Sequence, residues 1–170
     1  AAGKTAQYKL TVKTPSVKMN ASAKTLYVKG SPAEVTLKAT TAGVTGKVTY
    51  TSSKPSVAAV AANGKVTAKA AGTAVITAKC GNYKATCKIT VKKPSVKASA
   101  SAKTVFVGGT SQITVKKTGV SGKVTYTSSN KSVAVVSAGG KVTAKKAGTA
   151  TITVKCGSYK ATCRITVKKG

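Results

Sequence analysis

The chain has 170 residues and carries 30 Lys and Arg against one acid, Glu34, with no His, for a formal charge of +29. General acid–base catalysis needs His or carboxylates, a glycosidase needs two carboxylates, and a Ser or Cys nucleophile needs a base, so the composition points away from an enzyme and from any cofactor. Calcium sites need clustered carboxylates, four Cys without His in this spacing make no zinc site, and no run of 18 apolar residues is present to span a membrane.

So high a charge raises the question of disorder. The lysines stand singly, however, and alternate with Val, Ile and Ala, whereas a solvated tail carries its charge in blocks. Abundant Val and Thr favour strands.

The N-terminus, Ala1-Ala2-Gly3-Lys4, fits the remainder left by leader cleavage at a small-residue site, and equally a cut through a longer chain. Tyr8-Lys-Leu-Thr-Val-Lys-Thr-Pro-Ser-Val17 aligns with Cys87-Lys-Ile-Thr-Val-Lys-Lys-Pro-Ser-Val96. Residues 1–13 therefore read as an extra N-terminal strand, the last strand of a repeat with no domain before it. It is expected either as an arm packed on the first domain, as the edge of a longer array, or as a strand added to another subunit's sheet. Tyr8, Leu10 and Val12 are the candidate strand-exchange residues.

Further along, short alternating runs separated by Gly, Pro, Ser and Asn predict strands over 16–20, 25–28, 34–39, 47–52, 57–60, 65–69, 74–80 and 83–92. The pattern then repeats. Lys47-Val-Thr-Tyr-Thr-Ser-Ser53 recurs as Lys123-Val-Thr-Tyr-Thr-Ser-Ser129, and Cys80-Gly-Asn-Tyr-Lys-Ala-Thr-Cys87 as Cys156-Gly-Ser-Tyr-Lys-Ala-Thr-Cys163. The offset changes along the repeat, which places three missing residues around Gly30–Glu34 and Thr40–Ala42. Seven or eight short strands per copy predict an all-β fold of two tandem β-sandwich domains, 14–93 and 94–170, joined by the short stiff linker Lys92-Lys93-Pro94-Ser95. The period of two places Ala74, Ile76, Ala78 and Cys80 on one side of their strand, and Cys87, Ile89 and Val91 on one side of the next, with Lys and Thr opposite.

If those two strands form a hairpin with the cysteines facing each other, Cys80 pairs with Cys87, and Cys156 with Cys163, as disulfides. The alternative is two buried reduced thiols per domain. Disulfides imply an oxidising, extracellular setting.

Three segments carry a family resemblance: Ser52-Ser-Lys-Pro-Ser-Val-Ala-Ala-Val60, Asn63-Gly-Lys-Val-Thr-Ala-Lys69 and Ala71-Gly-Thr-Ala-Val-Ile-Thr-Ala78, each repeated in the second copy. Together they resemble the bacterial immunoglobulin-like domain, group 2, over nearly the whole chain. The resemblance implies an immunoglobulin-like sandwich in tandem on a secreted or bacterial cell-surface protein, in a structural or adhesive role. It also sets Tyr50 and Tyr126 where many relatives carry a central-strand Trp, which implies a core role.

The cationic coat predicts an anionic polymer as partner: teichoic acid, a glycosaminoglycan or a mucin-type glycan. Candidate contacts are Lys79, Lys88, Lys92, Lys93, Lys155, Arg164, Lys168 and Lys169. With 29 Lys to one Arg and few aromatics, nucleic acid is expected only as a non-specific ligand. Two further expectations stand beside this one: a homopolymer built by N-terminal strand addition, and a nucleic-acid-binding or phage virion protein.

Overall fold

The computed structural model describes Gly3 and residues 5–170, and among these it contains strands and no helix. By compactness the residues divide into two units: those up to Thr25 with Glu34–Thr90, and Leu26–Ala33 with Val91–Gly170.

The first copy forms β1 (Ser16–Met19), β2 (Ala23–Tyr27), β3 (Glu34–Thr36), β4 (Ala39–Ala42), β5 (Thr49–Ser52), β6 (Ala58–Val60), β7 (Lys65–Ala68), β8 (Gly72–Cys80) and β9 (Tyr83–Lys92). One sheet has the order β2-β9-β8-β5; the other side is built from β3-β7-β6 and the pair β1-β4. The second copy forms β10 (Ser95–Ala100), β11 (Thr104–Phe106), β12 (Thr110–Thr118), β13 (Val124–Ser128), β14 (Ala134–Val136), β15 (Lys141–Ala144), β16 (Gly148–Cys156) and β17 (Tyr159–Lys168). Its sheets have the orders β10-β12-β15-β14 and β11-β17-β16-β13. β11 runs parallel to β17, whereas β16 pairs with β17 antiparallel.

The expected alternation holds. Ala74, Ile76, Ala78, Cys80, Cys87, Ile89 and Val91 are all buried, as are their counterparts Ala150, Ile152, Val154, Cys156, Cys163, Ile165 and Val167. Each fully buried Val or Ile contributes roughly 1.5–3 kcal/mol. No Trp is present, so these aliphatic layers carry the packing.

The copies differ at one strand. β12 is continuous, whereas its counterpart is broken into β3 and β4 at Leu37-Lys38. There the backbone N–H groups go to other partners: Lys38 donates to Asn20 Oδ1 at 3.0 Å and Ala39 to the Tyr50 hydroxyl at 3.0 Å. β4 was missed in the sequence because Ala-Thr-Thr-Ala offers no large apolar alternation. Its register also corrects the placement of the missing residues. Ser16 faces Ala42 and Ser95 faces Thr118, while Glu34 faces Thr67 and Thr110 faces Thr143. The spacing between copies is thus already settled at Glu34, so the extra length lies before Glu34 and none lies around Thr40–Ala42.

The expected N-terminal strand does not form among the described residues. Residues 5–13 pair with nothing, and Tyr8, Leu10 and Val12 are 92%, 87% and 84% exposed. A strand needs a neighbour for its backbone groups, and none is supplied within the described residues. Ala1, Ala2 and Lys4 of that segment lie outside the described residues.

Candidate polyanion-binding surface

The hairpin of β16 and β17 organises the surface. Its connection is two residues long, Gly157-Ser158, with Gly157 in the left-handed region at φ 56°. Such a turn favours glycine. It places Cys156 opposite Tyr159, and every later pair follows.

This register corrects the expected disulfides. Cys163 faces Ile152, not Cys156. The two cysteines share the buried face but are offset by four residues, about 13 Å along a strand, where a disulfide needs Cα atoms within roughly 7 Å. β8 and β9 are neighbours with the same two-residue connection, Gly81-Asn82, and Cys87 again lies four residues past the Tyr. All four cysteines are buried free thiols. Cys80 Sγ lies 3.4 Å from the Gly46 carbonyl and Cys156 Sγ 3.3 Å from that of Gly122. Burial pushes the Cys87 thiol pKa up, and Lys24 opposes it weakly.

The opposite parity of the same register builds the outer face. Lys155 sits directly opposite Lys160, with Thr125 beside Lys155 on β13. One step on, Thr127, Thr153 and Thr162 form a row of hydroxyls. Arg164 follows opposite Thr151, then Thr166 between Thr149 and Thr104, then Lys168 opposite Phe106. Cation rows and hydroxyl rows therefore alternate across the sheet. The first copy repeats the arrangement: Thr49 faces Lys79, Thr51 faces Thr77, and β9 presents Lys84, Thr86, Lys88, Thr90 and Lys92 outward.

Of the candidate contacts, Lys79, Lys88 and Lys92 thus share one sheet face, and Lys155, Arg164 and Lys168 the equivalent face of the second copy. Lys93 and Lys169 are exposed beyond the strand ends. Sequence reasoning overlooked Lys84 and Lys160. The signal was present in the alternation, but the register was read from the cysteines when the Gly-Asn and Gly-Ser turns set it.

Glu34 faces outward and is engaged by its neighbours. Its carboxylate is 2.7 Å from Lys65 Nζ and accepts a 3.3 Å hydrogen bond from Thr67. The hydrogen bond from Lys65 holds its carboxyl below the usual carboxylate range, against a weaker effect of burial. No group of three His, Cys, Asp or Glu able to hold a metal occurs among the described residues. Among the described residues no helix is long and apolar enough to cross a membrane. Tyr50 and Tyr126 serve the fold: Tyr126 packs on the second core, and Tyr50 caps the break between β3 and β4. Asn20 and Asn130, the two Asn-X-Ser positions, each accept backbone N–H groups through Oδ1.

Two facing sheets with the edge order seen here define an immunoglobulin-like β-sandwich. Residues 46–93 match the bacterial Ig-like domain and residues 89–167 the bacterial Ig-like domain (group 2), so the chain belongs to the bacterial Ig-like domain family. No curated protein matches the chain. Among solved structures, the chain is similar to surface layer protein SbsC, domains 1-6, at 25% identity over 92% of this chain and 28% of that one, with a TM-score of 0.53. It is also similar to the S-layer protein SbsC domains 4 and 5, at 26% identity over 91% of this chain and 98% of that one, with a TM-score of 0.52. The chain therefore spans well under a third of the longer of the two.

Proposed function

We propose that this chain is a non-catalytic structural or adhesive module of a bacterial cell surface, secreted and held against anionic polymer by charge. The observation that carries the reading is 30 cations against one acid that is already ion-paired, with the cations arrayed on sheet faces and not massed in a tail. Similarity to S-layer structures supports the surface setting. Directly opposed lysines weaken a sheet, and an anionic partner relieves that repulsion. Teichoic acid, a glycosaminoglycan or a mucin-type glycan each supplies the charge, and nucleic acid binds without sequence preference. Counterion release makes such binding steeply salt-dependent. The test is affinity for a soluble polyanion at rising ionic strength; an affinity that does not change with salt rejects charge-driven retention.

The exposed alternation of Tyr8, Leu10 and Val12 favours a second reading, a homopolymer in which this segment adds to the sheet edge of another copy. The outer strands β5, β6, β13 and β14 are available edges. Sedimentation of the intact chain checks it: monomers at high concentration remove the reading.

A further inference from the structure

Resting on the reading above, we infer that the outer faces of the β2-β9-β8-β5 and β11-β17-β16-β13 sheets are tracks for a linear polymer whose anionic groups are phosphates within its backbone. Along β17 the cations Lys160, Arg164 and Lys168 recur every fourth residue, roughly 13 Å apart. Rows containing Thr162 and Thr166 lie midway between them. A chain laid along the strand therefore meets a cation and a hydroxyl by turns, and both donate hydrogen bonds to phosphate oxygens. The first copy repeats the series as Lys84, Lys88 and Lys92 on β9.

On the opposite side of the sandwich cation and hydroxyl rows also alternate, Lys97 with Lys116, then Ser99 with Thr114, then Lys141 with Gln112, but no strand there carries three outward cations in series.

The track also selects by what it omits. Nucleobases are held on aromatic platforms, and in the second copy the aromatic on this face is Phe106, 59% exposed at the rim beside Lys168. Five of the six track cations are lysines, compact point charges without the planar fork that reads base edges, and Arg164 alone carries that fork. The contacts on offer thus go to backbone charge, whatever the polymer carries as side groups.

The test compares two full-length variants of equal charge. One replaces Lys84, Lys88, Lys92, Lys160, Arg164 and Lys168 with Gln. The other replaces Lys18, Lys38, Lys69, Lys97, Lys116 and Lys141 with Gln, all exposed and outside the tracks. Binding of long-chain inorganic polyphosphate, single-stranded oligothymidylate and heparin is measured against salt, after thermal unfolding shows that both variants are folded. The track variant is expected to lose about tenfold or more in polyphosphate affinity, and its log–log salt slope to fall by about 2 for each copy engaged, at about 0.7 per cation. The other variant is expected to lose less than about threefold, the share owed to long-range charge.

Equal losses in the two variants overturn the track and leave the charge-driven reading standing. No binding of the wild type to any probe defeats that reading itself. Heparin bound more tightly than polyphosphate at equal charge overturns the phosphate assignment, and tighter binding of oligothymidylate does so by giving the bases a role.

Discussion

Replacing Lys160 with Glu turns a like-charged pair into an opposite-charged one at the position where the register sets it against Lys155. The Cβ atoms of facing residues lie about 5 Å apart. Ammonium groups at about 7 Å in water repel by about 0.6 kcal/mol at low salt, and less than half of that survives at physiological ionic strength. Reversing one sign changes the interaction by twice the repulsion, so the variant gains about 1 kcal/mol at low salt. For a domain of this size that raises Tm by about 4–8 °C. Polyanion binding moves the other way, because a track cation becomes an anion, and the salt slope falls by at least about 0.7. Lys169→Glu is the control. It sits beyond the end of β17 with no facing residue, so it lowers the net charge equally but leaves Tm nearly unchanged. The assays are thermal unfolding at two ionic strengths and salt-titrated polyphosphate binding. A Lys160→Glu protein no more stable than Lys169→Glu at low salt refutes the facing of these two ammonium groups, and with it the energetic argument for a partner.

Gly64→Ala and Gly140→Ala separate backbone strain from crowding. Both sites have φ near +80°, which costs an alanine roughly 1–2 kcal/mol, but the new methyl at 64 lands 2.1 Å from the Leu37 carbonyl oxygen and that at 140 only 3.0 Å from the Ile113 oxygen. Chemical denaturation should therefore show the larger loss for Gly64→Ala. Ser128→Ala removes the 2.7 Å hydrogen bond from its hydroxyl to the Ala134 carbonyl and should cost about 1–2 kcal/mol in the same assay. For the thiols, mass spectrometry of the non-reduced protein should find no loss of hydrogen relative to the reduced form, and labelling of all four should require unfolding. The buried Cys87 thiol has a folded pKa raised above its unfolded value, so its contribution to stability is intact below about pH 8.5 and declines as the pH rises towards the folded pKa. Denaturation of wild type and Cys87→Ala across that range should show the wild type losing more; parallel curves would rule it out. Deleting residues 1–13 should leave Tm within about 1 °C, because Tyr8, Leu10 and Val12 bury almost nothing.

Much of the fold could be read directly from alternation. The inward sets Ala74–Cys80 and Cys87–Val91 fell where period two placed them. What alternation cannot supply is the partner across the gap. Parity says which face a residue occupies; only the turn says which residue it meets. Reading the hairpin from Cys80 and Cys87 put the cysteines face to face and hid Lys84 and Lys160, whereas Gly81-Asn82 and Gly157-Ser158 carried the correct answer. The break between β3 and β4 was beyond local reading because its cause is distant: Asn20 and the Tyr50 hydroxyl divert two N–H groups from the sheet.

Those two-residue turns have a consequence for how the chain assembles. β9 and β17 have the same sequence, Tyr-Lys-Ala-Thr-Cys-(Lys or Arg)-Ile-Thr-Val-Lys, so either one is chemically acceptable to β8. Joining β8 to its own partner closes a loop of two residues, whereas joining it to β17 leaves 78 residues, 81–158, in the loop. The difference in closure entropy is about 3 kcal/mol, a preference of more than a hundredfold for the neighbouring strand before any packing has formed. Near-identical repeats are prone to exchange strands and tangle. In this chain the tight hairpin sorts each copy's strands first, so the two sandwiches can share almost one sequence and still fold separately.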